Sequence, residues 1–447
     1  MCLQQLLKVK QLYVLKKFKN FYLIYELMYP SPLMQHVEHT CLDNGLIIGG
    51  EQRAGVQTVA LHLAVPAGIA TNDKDGESAV LAELIQRGAF GLSALEHQHA
   101  LERLGIRKHV SCGKEFIFVS AVMLASKFDV AFPLIYSIIN SPSLPEDDLD
   151  ACKSLCLQGL DSLNDDPASL ATIELNKLHN PSPFNRTGYG ERSCIEGVTI
   201  NGLKKVKAQR FLPGGSILAL AGNFHFEDIV QTVSKEVADW TGQVEPVHTN
   251  ESPERGYGFI QQQTSQVHIG IAADAPNITD EHALHEAIAI TAFGGASSGR
   301  LFTQVRQERS LCYSVAARYS PAKDRSTVKI HAGTTPERAQ ETIDVCLEEL
   351  YKLKNGITQD EFHRTTLRMK SRLVMSGEST SARANAVWSD FYTLGRGRTL
   401  QERIDQIDAV KLGDVNDWLR QRSFGLMSAV SIGPEQNTID DALLNDA

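Results

Sequence analysis

The chain has 447 residues, 43% of them hydrophobic and 22% charged, with a formal net charge of −9. That is enough chain for two domains with separate cores, the composition is that of a globular protein, and the acidic balance argues against nucleic acid as the main partner, since coating phosphates needs a basic surface. Eight cysteines, at 2, 41, 112, 152, 156, 194, 312 and 346, contain no C-x-x-C pair. They form no disulfide framework for so long a chain, so reduced thiols in a cytoplasmic setting are the plain reading.

Residues 1–33 set Lys8, Lys10, Lys16, Lys17 and Lys19 among Leu, Tyr, Phe and Ile, and close on Tyr29-Pro30-Ser31-Pro32. No apolar run reaches the roughly 18 residues of a membrane span, so no transmembrane segment is expected. The order of charges and apolar residues is not that of a signal peptide, and no Arg precedes Arg53. A surface-lying amphipathic helix, a partner-binding helix, or translation from a start too far upstream remain, and the last is favoured, with Met34 as the natural start.

Thr40 to Leu42 and Leu46 to Ile48 read as strands around Asp43-Asn44-Gly45, a hairpin turn. Val56 to Val65 alternates as a strand, 68–76 is a polar loop and Ser78 to Ile85 a helix. Ser93-Ala94-Leu95-Glu96 is a capping box opening a helix that ends near Gly105. Lys108 to Leu124 gives two strands around Gly113-Lys114, followed by a helix from Ser126 to Ile139 and a long helix from Glu146. Ser216 to Ala221 is a strand and Phe226 to Ala238 a helix. Residues 241–257, polar with Pro246 and Pro253, form a linker.

The second half repeats this plan. Asn140 to Leu149 is echoed by Asn355 to Phe362, and Ser216 to Gly222 by Met427 to Gly433. The end residues are 213 apart in the first pair (149 to 362) and 211 in the second (222 to 433). A repeat of this length means two domains of one fold. The expectation is an α+β protein of two homologous halves, 34–240 and 258–436, each an antiparallel sheet with helices on one face, and a tail at 437–447.

The most informative stretch runs Gly294-Gly-Ala-Ser-Ser-Gly-Arg-Leu-Phe-Thr-Gln-Val-Arg306, then Leu311-Cys-Tyr313-Ser-Val315. A glycine-serine turn opens a short amphipathic helix carrying Leu301, Phe302 and Val305. Leu311, Tyr313 and Val315 then alternate as a strand. Arg306 near the helix end and Tyr313 on the strand can aim a guanidinium and a phenol at one place.

This stretch resembles the C-terminal half of the pitrilysin/insulinase-type zinc metallopeptidases, mitochondrial processing peptidases included, whose pattern is G-G-x-x-S-S-R-L-F, an Arg, then L-x-Y-x-V. Ser298-Gly299 stands where that family has S-S. The resemblance covers about 400 residues, from near Met34 to near Pro434, and it implies the same duplication. It also implies that Arg306 and Tyr313 hold the substrate backbone and the oxyanion over a zinc ion carried by another half.

That family's zinc motif is G-x-A-H-x-x-E-H-M, its two His one helical turn apart with the Glu as base. Laid on this chain, the frame is Gly76 to Leu84 followed by Arg87-Gly88. Ala79 stands at the first His, Ala82 at the base and Glu83 at the second His. The third ligand, before a D-D-P turn that is present as Asp165-Asp166-Pro167, falls at Gly159 or Leu160. These positions are expected to be non-functional and no metal is assigned to the chain. His282, His285 and Glu286 hold ligand-type letters in the wrong order and read as a solvent-facing first helical turn. His36-Val37-Glu38-His39 and Glu96-His97-Gln98-His99 are weaker still, in surface-type contexts. No phosphate loop or Rossmann spacing competes.

The resemblance therefore implies the zinc-free subunit of a heterodimeric peptidase, inactive alone. Its partner is a homologous subunit carrying H-x-x-E-H and the zinc, and its substrate a peptide. The alternatives are a structural core-type subunit and a solitary pseudoenzyme that binds peptides without cutting them.

Overall fold

The Asn44 side chain builds the first turn. Its carbonyl accepts from the Leu46 amide at 3.1 Å, its amide donates to the carbonyls of Val237 and Trp240, and Gly45 takes φ 91°. The turn joins β1 (Val37–Cys41) to β2 (Ile47–Gln52). The computed structural model describes residues 36–72, 74–249, 252–440 and 444–446. The extension expected at 1–33 lies outside the described residues.

β3 (Thr58–Val65), α1 (Glu77–Leu84) and a two-residue hairpin of β4 (Gly88–Ala89) with β5 (Leu92–Ser93) follow. α2 (Ala94–Arg103) starts at the expected capping box, with the Ser93 hydroxyl accepting from the Glu96 amide and the Glu96 carboxylate accepting from the Ser93 amide. Next come β6 (Arg107–Cys112), β7 (Ile117–Leu124), α3 (Phe128–Asn140), α4 (Leu149–Ser162), α5 (Pro167–His179), α6 (Arg192–Glu196), α7 (Ile200–Arg210), β8 (Ile217–Gly222) and α8 (Phe226–Glu236).

Then follow β9 (Gly256–Gln261), β10 (Val267–Asp274), α9 (Ala283–Gly294), a π-helical segment (Phe302–Glu308), β11 (Cys312–Ser320), β12 (Thr327–Thr334) and α10 (Ala339–Tyr351). α11 (Gln359–Gly377), α12 (Thr380–Leu394), α13 (Leu400–Ala409), α14 (Leu412–Gln421), β13 (Gly425–Leu426), β14 (Ser428–Gly433) and β15 (Asn445–Asp446) complete the chain. No helix among the described residues is long and apolar enough to cross a membrane.

The sheets are copies of one topology. One has the order β1-β2-β8-β3-β7-β6, the other β9-β14-β10-β12-β11. β2 answers to β9, β8 to β14, β3 to β10, β7 to β12 and β6 to β11, with β1 extra. The α+β, duplicated architecture is as expected, with one refinement: each sheet is antiparallel except where β2 meets β8 and β9 meets β14, which pair in parallel.

Each half packs its own helices on one face, as expected, and the second face has a further cover. α5 leaves its own half and packs on the C-terminal sheet, where Ala171 and Leu175 meet Ala272, Val430 and Ile432. α12 crosses the other way, and its Ala384, Val387 and Phe391 cover Ala60, Ile217, Ala219 and Ala221 of the N-terminal sheet. Each sheet thus has its own helices on one face and a helix lent by the other half on the second. The reason lies in the central strands. β8 (Ile-Leu-Ala-Leu-Ala-Gly) is buried at every position, as is β14, and a strand buried on both sides needs two covers. The small residues of β8 face the lent helix, and Leu218 and Leu220 enter the N-terminal core. Gly49 of β2 completes the fit, because a side chain there would collide with the Phe391 ring.

Polar clasps fix both lent helices. On α5, His179 faces the Ser428 hydroxyl at 3.0 Å and Asp274 at 3.4 Å, and Thr172 meets His331 at 2.6 Å. On α12, Arg383 donates through Nε to Glu51 at 2.7 Å, with 4% and 0% of the two side chains exposed. Breaking a buried pair from one side strands the other charge. Arg383→Ala is therefore expected to cost about 3–5 kcal/mol of stability, read as a lower urea midpoint at unchanged slope. Replacing both partners, Arg383→Met with Glu51→Leu, should recover most of it.

Candidate functional site

The residues that the resemblance assigns to a degenerate zinc frame lie on and around α1. Gly76, at φ 93°, is the N-cap of α1, which packs against α4. Ala79 and Ala82 offer only methyl groups, Ala82 being buried and Ala79 half-buried, and Glu83 is half-buried on the same helix. On α4, Leu160 packs against the core, and a Cβ at Gly159 would lie 3.6 Å from the Tyr189 ring. The Gly188–Gly190 loop thus lies over the third-ligand position, with Gly190 in close contact with Gly76.

Nearby thiols do not replace the ligands. Burial pushes Cys112 up to about 12 and Cys156 up to about 11, and raises Cys152, so all three stay neutral at physiological pH. One carboxylate, with thiols that do not converge on it, does not fit a zinc ion, which needs three or four converging donors. Among the described residues no group of three or more His, Cys, Asp or Glu converges to hold a metal.

The His282 cluster reads differently from the expected solvent-facing turn. Glu286 is fully buried, accepting from Trp418 Nε1 at 2.8 Å and facing the Arg422 guanidinium at 3.1 Å. His282 stacks on Trp418 with ring centroids 4.3 Å apart, and its Nδ1 is 3.3 Å from that of His285. The carboxylate is committed to a structural pair. His97, expected at the surface, is buried with Nε2 2.9 Å from the Leu134 carbonyl, and burial lowers its pKa.

The stretch after α9 contains three residues of contrasting fate. Arg300 is locked: Nε and one terminal nitrogen donate to the two oxygens of Glu361 at 2.6 and 2.8 Å, and the Gly356 carbonyl accepts a further bond at 2.7 Å. Glu361 is itself the third residue of α11 and caps Thr358. Arg306 lies on the π-helical segment that stands in place of the expected α-helix; Leu301 and Val305 are buried beneath it. Such segments recur at functional sites. The Arg306 guanidinium stands 5.0 Å from the Phe302 ring centroid, exposed to solvent.

Tyr313 sits at a register shift between Cys312 and Ser314 on β11, the edge strand of its sheet. The shift leaves its ring 42% exposed and lying across Gly333, where any side chain would collide with it. Burial pushes Cys312 up to about 11 against the pull of the Arg306 charge, and the Val305 carbonyl accepts from the Leu311 amide at 2.9 Å, which brings the π-helical segment to the start of β11. Arg306 and Tyr313 thus reach the same end of β11. Neither makes a hydrogen bond or ion pair within the described residues, so the salt bridge from Arg306 to Glu308, the structural role open to it, is not formed. Sequence reasoning missed the cover that Tyr189 provides; the glycines flanking it were the only signal.

Comparison with known proteins agrees with the fold. Residues 197–368 match the family model described as the Peptidase M16 inactive domain. An uncharacterised zinc protease of Streptomyces coelicolor is 23% identical over 411 residues, covering 89% of this chain and 90% of that protein. One of Bacillus subtilis is 25% identical over 394 residues, covering 86% and 94%. Among solved structures, a peptidase M16 inactive domain from Pseudomonas fluorescens superposes with a TM-score of 0.81 at 21% identity, over 90% of this chain and 99% of that one. A protease from Helicobacter pylori also gives 0.81, at 16% identity, over 90% and 100%.

Fold and site together define a duplicated α+β protein in which, among the described residues, no set of metal ligands converges. Residues 197–368 match the M16 inactive domain, and the chain as a whole is similar to proteins named zinc proteases and shares the fold of these solved structures.

The two arginines should behave oppositely. Burial raises the Glu361 carboxyl, but the Arg300 guanidinium and the Thr358 amide outweigh it and hold the pKa below the usual value. Arg300→Ala should cost about 1.5–3 kcal/mol at neutral pH, and Arg306→Ala less than about 0.5, both by denaturant titration. Because the folded pKa is depressed, the contribution of the Arg300 pair is fully present above the ordinary glutamate value of about 4.3. It is lost as the pH falls through the lowered value.

Proposed function

We propose that this chain is the zinc-free subunit of a two-chain pitrilysin-type peptidase. It binds the peptide and stabilises the reacting carbonyl, and a homologous partner carrying H-x-x-E-H supplies the metal. The observation that carries the reading is the contrast within one short stretch. Arg300 is committed to Glu361, and Arg306 and Tyr313 stand exposed and unpaired at a π-helical segment and a strand bulge.

Exposed polar groups held on rigid elements, with no partner of their own, are what a ligand-binding role requires. As a peptide carbonyl becomes tetrahedral its oxygen gains negative charge, and the Tyr313 hydroxyl donates a hydrogen bond to it. The Arg306 guanidinium presents several N–H donors in a fixed fork and holds neighbouring carbonyls of the same peptide. Both act from the free edge of β11, along which an extended substrate can lie. Ala79, Ala82 and Gly159 support the assignment of the metal to another chain. The reading includes a cytoplasmic setting, supported by the seven described cysteines, all free thiols.

Tyr313→Phe should lower peptide turnover by the assembled pair about 100-fold and leave co-elution of the two chains on size exclusion unchanged. Arg306→Ala should raise KM. Turnover unaffected by Tyr313→Phe removes the assigned role.

A further inference from the structure

The N-terminal sheet carries a second polar site, remote in sequence from Arg306 and Tyr313. The lent helix α12 covers β8, β3 and β2 and leaves a groove over β7 and the edge strand β6, a cavity of about 430 Å³. Register puts its side chains on one face. His62, Ser120 and His109 are cross-strand partners, as are Ala60, Val122 and Arg107, and partners share a face. Ala60 and Val122 touch Ala384, so this is the α12 face. Ser381 and Asn385, one helical turn apart, form the opposite wall.

The chemistry of the lining is one-sided. It includes Arg107 and His109 and no carboxylate. Lys108 also borders the groove but donates to Gln86 at 3.3 Å. Ser120 and His62 occupy each other at 2.6 Å, and burial takes His62 down to about 4, so that ring is neutral. Arg107, His109, Ser381 and Asn385 make no hydrogen bond or ion pair within the described residues. Four uncommitted polar side chains therefore border one cavity, with donors prevailing and a full positive charge among them.

We propose that this groove binds the carboxylate of an acidic peptide segment, with Arg107 pairing the carboxylate and Asn385 and Ser381 donating to it or to the adjoining main chain. The inference rests on the reading of the chain as a peptide-binding subunit and names the class of peptide. The volume falls within the range of about 300–1,000 Å³ that suits small ligands, room for a side chain and its neighbouring peptide units. Among the described residues β6 is the last strand of its sheet, with no strand paired on its outer side. A segment running along it puts alternate side chains on the face of Arg107 and His109. Because the chain as a whole carries −9, diffuse attraction favours basic peptides, and a preference for acid can only be local.

The test is fluorescence anisotropy on the full chain with two labelled twelve-residue peptides, identical except that one carries three Glu where the other carries three Lys. At low salt the acidic peptide should bind about tenfold more tightly, and Arg107→Ala should reduce that preference to within about twofold. Asn385→Ala should weaken the acidic peptide alone. Equal binding of the two peptides, binding of neither, or a preference that survives Arg107→Ala overturns the proposal. The readout is separate from turnover. An absent acid preference with turnover still dependent on Tyr313 removes the groove alone, and acid-selective binding with turnover independent of Tyr313 removes the divided catalysis alone.

Discussion

The exchange of α5 and α12 between the halves is the constraint on which the rest of the structure depends. A central strand such as β8 or β14 is buried along its whole length and must be covered on both faces. Neither half has spare helix on its own second face, so each borrows one. The two sheets then cannot separate without baring Ile217, Ala219, Val430 and Ile432 and stranding Glu51 against water-free surroundings. The lent helices also set the functional geography. α12 defines one wall of the groove above β6 and β7, and α5 covers the middle of the C-terminal sheet, leaving edge strand β11 free.

Around that scaffold the two halves have diverged in chemistry. In the N-terminal half the positions that the resemblance assigns to zinc ligands and base carry Ala79, Ala82 and Glu83, and Tyr189 lies over Gly159. Asp166 still caps α5 by accepting from the Ser169 amide at 3.1 Å, with Pro167 in the first turn. The turn keeps a structural task that does not need the metal. In the C-terminal half the reverse holds: the Arg306 and Tyr313 side chains make no hydrogen bond or ion pair within the described residues and remain presented to solvent.

What the sequence reveals follows the range of the interactions. The Asn44-Gly45 turn, the Ser93 and Thr358 capping boxes and the Asp166 cap each close within a few residues, so they are legible locally. The duplication is legible because two distant pairs of segments keep nearly one offset. The helix exchange is not, although the alternation of Ala and Leu in β8, small toward the lent helix and large toward the core, is its trace. Glu286 looks like a surface acid because its partners, Trp418 and Arg422, are more than 130 positions away. Arg300 and Arg306 look alike as letters, and only the position of Glu361 separates a locked guanidinium from a free one. The groove residues gave no signal, since Arg107 and Asn385 meet only through the exchange.

The most direct measurement is to isolate the chain from its native host with whatever binds it, and to assay zinc content and chelator-sensitive peptide cleavage of the chain alone and of the assembly. The account predicts an assembly with a roughly equimolar homologous partner bearing H-x-x-E-H, zinc in that partner, and cleavage only when both are present. Stoichiometric zinc and cleavage by the chain alone would contradict it.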